Sequence, residues 1–283
     1  MVEQPTSRQQ PRSDGGTNCE QMKNSFSDTH CHLDAVEFDG TQADLVRDAQ
    51  AAGVSRIVVP SVARGNFDIV RNLCVQYPNC APAYGIHPMY TNAATPNDLD
   101  VLRDYLEQHP PIAVGEIGLD FFIKEHDRDT QEFFFVRQLE LARDFNLPVL
   151  LHIRHAQDSV LKQLRQHKVR GGIAHAFNGS RQQAEEFLKL GFKLGFGGAM
   201  TYPRATRIRE LAASLPLDSI VLETDAPDIP PDFLPRGQPN KPEYLPRIAQ
   251  TLATLRDMSL EEVAQVTTAN ALAVLPALMT SPL

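Results

Sequence analysis

Tryptophan is absent from the 283 residues, aromatic side chains make up only 7% of them, and the four cysteines never form a CxxC pair. Cys19, Cys31, Cys74 and Cys80 therefore suggest neither a zinc knuckle nor a disulfide framework, and reduced thiols are the expectation. Positive charge is scarce as well: 27 Lys and Arg against 35 Asp and Glu leave a formal charge of −8. That balance argues against a broad basic surface for nucleic acid, so a polyanion would need positive charge supplied locally. No apolar run is long enough to span a bilayer. The first 24 residues, MVEQPTSRQQPRSDGGTNCEQMKN, lack the apolar centre of a signal peptide. They read as a flexible polar tail on a cytoplasmic protein with no membrane partner, and Glu3, Asp14 and Glu20 weaken an organelle transit peptide.

The chain does contain a regular alternation. An apolar fraction of 42% with 22% charged residues is ordinary for a globular fold. Eight short β-branched or apolar runs begin at SFSDTHCHL (25 to 33) and continue through VSRIVVPS (54 to 61), CAPAYGIHP (80 to 88), PIAVGEIGL (111 to 119), PVLLHIRH (148 to 155), GGIAHAF (171 to 177), FKLGFGGA (192 to 199) and SIVLETDAP (219 to 227). Helix-like stretches such as TQADLVRDAQAAG, DTQEFFFVRQLELARDFN and SRQQAEEFLKLG separate them, with Ser180 and Gln183 placed as a capping box. Eight strand–helix units predict an α/β fold, a (β/α)8 TIM barrel, as one catalytic domain over 25–283. A doubly wound open sheet would fit the alternation too, but no GxGxxG follows the first strand. The segment 225 to 246 carries seven prolines and reads as a structured loop.

In such a barrel the carboxyl ends of the strands converge on one face. Those ends carry His30 and His32, His87, Glu116, His152, His175, Glu223 and Asp225. His30 and His32 share a face because the side-chain period of an extended chain is two. Any one of these histidines reads more simply as a hydrogen-bonded structural residue. Together, embedded in runs as apolar as PVLLHI and GGIAHAF, they are costly to bury unless paired or metal-bound. A centre of one or two divalent ions with open positions is the economical reading, and metal-activated water makes the chain a hydrolase.

The motifs resemble those of the TatD family of metal-dependent deoxyribonucleases, within the amidohydrolase-like barrel enzymes: DTHCHLD, YGIHP, AVGEIGLDF, LPVLLHIRHA, AHAFNGS and VLETDAPDIPP, in this order over roughly 25 to 275, with NKPEYLP and TTANA similar to the family's ending. The resemblance implies metal ligands His30, His32, Glu116, His152, His175 and Asp225, with Glu116 shared between two divalent ions (Mg, Mn or Zn) and Asp225 serving also as general base. It places His87 and Arg154 toward substrate. His155 stands where the family commonly has an aspartate, and Met89 where a polar residue is common. The implied substrate is DNA, with ends or single strands favoured by the acidic chain; a small-molecule or aminoacyl ester is the alternative, and a monomer is compatible with the composition. Of the remaining features, Gly195, Gly197 and Gly198 read as relief of crowding, Arg204, Arg207 and Arg209 as a solvated helix face, Phe121 and Phe122 as loop packing or a base stack, and Phe133 to Phe135 as core.

Overall fold

A computed structural model describes residues 25–279, and the expected N-terminal tail, 1–24, lies outside the described residues. Each of the eight apolar runs matches one strand, the fourth running one residue past its run: β1 Phe26–Asp28, β2 Val54–Pro60, β3 Cys80–Tyr84, β4 Ala113–Asp120, β5 Val149–Arg154, β6 Gly172–Ala174, β7 Phe192–Phe196 and β8 Ile220–Leu222. They pair in chain order, and every pair is parallel. β8 returns to β1, where the Thr29 N–H donates to the Leu222 carbonyl at 3.1 Å and Cys31 bridges Ala226. The sheet closes, giving the (β/α)8 barrel and ruling out the open doubly wound alternative.

The helices between strands are α1 Gln42–Ala51, α2 Phe67–Gln76, α3 Pro96–Gln108, α4 Arg128–Asp144, α5 Gln157–His167, α6 Arg181–Lys189 and α7 Thr206–Ser214, followed by α8 Leu245–Arg256 and α9 Leu260–Val274. The α6 capping box forms as expected: the Gln183 N–H donates to Ser180 Oγ at 3.1 Å, and Gln183 Oε1 accepts the Ser180 N–H at 2.9 Å. One core expectation needs correction. Phe134 and Phe135 are buried in the layer between sheet and helices, but Phe133 is 41% exposed, because three consecutive helical residues span too wide an arc to face one core. Its ring lies under Arg137, 5.8 Å from the guanidinium carbon.

Inside the barrel, Val58, Ala81, Ala83, Ala113, Leu150, Ile173 and Val221 form a compact apolar plug. Ala271 of α9, with Leu275 and Leu278 beyond it, seals this plug from below. Polar bonds hold that seal: Asn270 Nδ2 donates to the carbonyls of Leu217 and Ile220 at 2.9 and 2.8 Å, and Thr268 Oγ1 to that of Ser25 at 2.7 Å. The TTANA segment thereby clasps the starts of the first and last strands. The proline-rich segment stays out of regular structure apart from a single 3-10 turn, Pro242–Tyr244, until α8 begins at Leu245. Asn240 pins it near the top of the barrel, donating through Nδ2 to the Thr224 carbonyl at 2.6 Å and through its backbone N–H to Pro227 at 2.9 Å.

Candidate metal centre

β1 ends at Asp28, yet the chain stays extended long enough to set His30 and His32 side by side, with Nε2 atoms 3.3 Å apart. Across from them, fully buried on β4, Glu116 divides its carboxylate. Oε2 faces His30 Nε2 at 3.1 Å and His32 Nε2 at 3.5 Å. Oε1 faces His152 Nδ1 and His175 Nε2, each at 3.1 Å, and His87 Nε2 at 3.6 Å. Asp225 closes the cluster, its Oδ1 3.8 Å from His30 Nε2, 3.9 Å from His32 Nε2 and 4.0 Å from His175 Nδ1. It reaches in from a left-handed backbone, φ 58°, that a non-glycine residue adopts at a cost of about 1–2 kcal/mol. All six expected ligand residues meet, although they come from strands far apart in sequence.

Three sets of donor atoms are close enough to hold an ion: His30, His175 and Asp225; His30, His32 and Glu116; and His87, Glu116 and His152. The donor set is imidazole and carboxylate, suited to zinc, manganese or magnesium rather than to a thiolate-bound metal. Protonation shows the same fit. Burial pushes the Glu116 carboxyl up, but the surrounding imidazoles outweigh it, His175 and the His152 bond among them, and hold Glu116 well below the usual carboxylate range. Burial disfavours a charged His32, yet Glu116 and Asp225 carry it up to about 9. His175 is likewise raised, against its burial, by Glu116 and Asp225. Protons therefore occupy positive-charge positions that divalent ions would fill. Burial raises the Asp225 carboxyl above its ordinary value, even against the pull of the histidines.

His87 differs from the others. Its Nδ1 accepts the Met89 backbone N–H at 3.1 Å, so in the neutral ring the proton sits on Nε2, the nitrogen facing Glu116. Burial keeps the ring neutral, with its pKa well below the ordinary value. His87 thus presents a donor where a ligand would need a lone pair. Arg154, at the end of β5, makes no ion pair within 4 Å among the described residues; its guanidinium carbon lies 3.8 Å from the ring centre of Phe122.

Several carboxylates that steady this cluster lie outside the set of ligands that the sequence motifs imply. Asp120 Oδ2 lies 3.1 Å from His152 Nε2, and Gln131 clamps the Asp120 backbone, accepting its N–H at 2.8 Å and donating to its carbonyl at 2.9 Å. Burial pushes the Asp120 carboxyl up, but the His152 bond, the Phe122 N–H and the nearby His152 and Arg154 charges together draw it down to about 2. A signal for it exists in the chain: Asp120 is four residues after Glu116, on the same face of β4. Glu223 accepts the Ala176 N–H at 2.5 Å and lies 3.5 Å from His175 Nδ1. It fits because residue 195 is glycine, where a Cβ would collide with the Glu223 carboxylate; Gly195, with Gly197 and Gly198 just beyond β7, relieves crowding, as expected. Asp28 ties β1 to β8, accepting from the Thr224 N–H at 2.9 Å and its hydroxyl at 2.6 Å, while burial lifts its carboxyl to about 7.

The profile of TatD-related DNases matches residues 27–276. The chain belongs to the TatD family. It is 42% identical over 243 residues to the "uncharacterized metal-dependent hydrolase YjjV" of Escherichia coli K12, covering 85% of this chain and 93% of that one. It is 32% identical over 264 residues to human "deoxyribonuclease TATDN3", covering 89% and 94%. The crystal structure of the YjjV TatD homologue superposes with a TM-score of 0.86 at 40% identity, covering 90% of this chain and 99% of that one. This TatD-family protein is accordingly a metal-dependent hydrolase built on a TIM barrel.

Proposed function

We propose that the chain hydrolyses phosphodiester bonds in DNA, working at strand ends or single strands, with two divalent ions. The observation that carries this reading is the split of Glu116, one oxygen toward His30 and His32, the other toward His152 and His175. We assign His30, His32, Glu116, His152, His175 and Asp225 as ligands, with Glu116 shared. When bound, such an ion pair supplies a nucleophile at neutral pH and offsets charge on the attacking and leaving oxygens. The side chains do the rest. Asp225, with its raised pKa, accepts the proton of the attacking water. His87 donates its Nε2–H to a phosphate oxygen, and Arg154 offers a guanidinium fork to the same group.

The name of the human relative supports DNA as substrate. The net charge of −8 supports ends over long duplex, since the local cations neutralise only one or two phosphates. The unpaired Cys31, Cys74 and Cys80 support a reducing, cytosolic setting, and no described helix is long and apolar enough to cross a membrane. Residues 25–283 are taken as a single catalytic domain, since the assigned ligands lie on, or a few residues beyond, the strands of one eight-stranded sheet. Because one chain provides them all, a monomer would suffice.

A time course on end-labelled single-stranded and duplex DNA tests the reading, using metal-stripped protein with magnesium, manganese or zinc restored, beside Asp225→Asn. The expected result is shortening from one end that needs metal and is lost in the variant. Intact DNA together with cleavage of aminoacyl or small-molecule esters would move the substrate to the ester class.

A further inference from the structure

We propose that Phe122, with the Arg154 guanidinium seated on its ring, is a stacking platform for the terminal base of a DNA strand. The proposal rests on the nuclease reading and names what that site grips besides phosphate. Phe122 follows β4 and is 50% exposed, an unusual state for a phenylalanine beside a buried polar centre. Its neighbour Phe121 is only partly exposed and lies under Arg128, whose guanidinium carbon is 4.5 Å from the ring centre.

The exposed ring is held in place. The Phe122 N–H donates to Asp120 Oδ1 at 2.9 Å, while the other oxygen of the same carboxylate faces His152 Nε2 at 3.1 Å. One side chain thereby references both the platform and the candidate metal ligand. Arg154 covers the ring at 3.8 Å, and His155 meets it edge-on at 5.2 Å between ring centres. His155 does so from a left-handed backbone, φ 55°, uncommon outside glycine and found where surrounding structure enforces it. Exposed aromatic area of this kind, preorganised beside a cation, stacks on bases without reading their identity.

Charge limits the occupant to a strand end. A cavity of about 790 Å³ opens over the cluster, lined by His152, His175 and Asp225 and also by Tyr90 and Arg154; Phe122 does not line it but adjoins it through Arg154, whose guanidinium lies on the ring. Arg154 is the sole Lys or Arg among its lining residues, whereas Asp34, Glu37 and Asp228 line it as well. A continuous run of phosphates would meet those carboxylates. A single terminal nucleotide would not: its phosphate sits between the cluster and Arg154, which is two residues, or ~7 Å, beyond His152 along β5, and its base reaches the ring beside that guanidinium.

The absence of native tryptophan gives a clean probe, because Phe122→Trp would introduce the only indole in the chain. Titrating metal-loaded Phe122→Trp with deoxyadenosine 5′-monophosphate is expected to give saturable quenching, with deoxyribose 5-phosphate at least tenfold weaker. Equal responses, or none with the nucleotide, would overturn the platform. On single-stranded oligonucleotides, Phe122→Ala is expected to lose roughly tenfold in kcat/KM, mainly through KM, when the terminal base is present. It should match the wild type when the terminal nucleotide is abasic, and an equal loss on both substrates would also overturn the proposal. Wild-type protein that leaves both oligonucleotides intact would sink the nuclease reading, while the fluorescence titration would still decide the platform.

Discussion

At His87 one backbone hydrogen bond decides between two kinds of chemistry. The geometry of a third ion-holding set includes His87, but the Met89 N–H on Nδ1 makes its inward nitrogen a proton donor. His87→Ala is therefore expected to cost about 10²–10³-fold in kcat with metal content unchanged, and His87→Gln, which keeps an N–H, to recover part of it. Elemental analysis of the purified variants beside kcat checks this; loss of one ion per chain would make His87 a ligand instead. That the six residues assigned as ligands gather at one end of the barrel could be read from sequence, because HxH and single polar residues at the ends of apolar runs are costly to bury unpaired; the choice of these six over His87 and Glu223 came from the family motifs. The hydrogen of His87 could not be read there, since it depends on where the Met89 N–H points. Asp120 and Glu223 were partly legible, being strand-end carboxylates, but which imidazole each one steadies depends on barrel closure. Arg154 and Phe122 meet across the ends of two neighbouring strands, a contact that spacing in the sequence does not encode.

Among the elements, α9 shows how a helix remote from the chemistry sets the frame for it. Its first turn is capped by Ser259 and Glu262, where the Glu262 N–H donates to Ser259 Oγ at 3.2 Å and Glu262 Oε2 accepts the Ser259 N–H at 2.9 Å. Its far half seals the barrel. Asn270→Ala leaves the Leu217 and Ile220 carbonyls short of their donor in a buried setting, which is expected to cost about 1–3 kcal/mol. Chemical denaturation should register that loss with kcat unchanged at 25 °C; full stability in the variant would show that the clasp contributes nothing. The eight strands were legible as elements, but their ends were not. SFSDTHCHL forms a strand for only three residues because the chain must leave the ladder to carry His30 and His32 over the top of the barrel. The same holds for GGIAHAF, where β6 stops at Ala174 and His175 lies just beyond it. Phe133 departs from the core expectation because one apolar triplet in a helix cannot be wholly internal.

For the protein as an energetic system, the centre links metal, protons and stability. His32 in the metal-free fold has a pKa raised to about 9 from an ordinary 6.5: burial opposes the charge, and Glu116 and Asp225 overcome it. A group raised in this way stabilises the fold fully below its unfolded pKa and loses that contribution as pH climbs through the folded one. Asp28, raised by burial to about 7, works in the same direction at lower pH. The metal-free protein should therefore melt at progressively lower temperature from pH 6.5 to 9, whereas metal-loaded protein, with those protons already displaced, should not follow. Calorimetric metal titrations at pH 7.5 in buffers of different ionisation enthalpy should show proton release on binding. Buffer-independent heats would mean that the cluster is already deprotonated, contrary to the raised His32 and His175.

The apolar plug and the α9 seal beneath it carry one more consequence, which concerns traffic. With the base filled by Val58, Leu150, Ile173 and Leu278, the vessel has a floor and no back door. Whatever enters by the mouth must back out by the same mouth, so a freed fragment and the next incoming strand end compete for one passage. A chain cannot be drawn through such a barrel as thread through a bead. Each cut must be followed by withdrawal before the next can begin, and turnover is then paced by departure as much as by bond breaking.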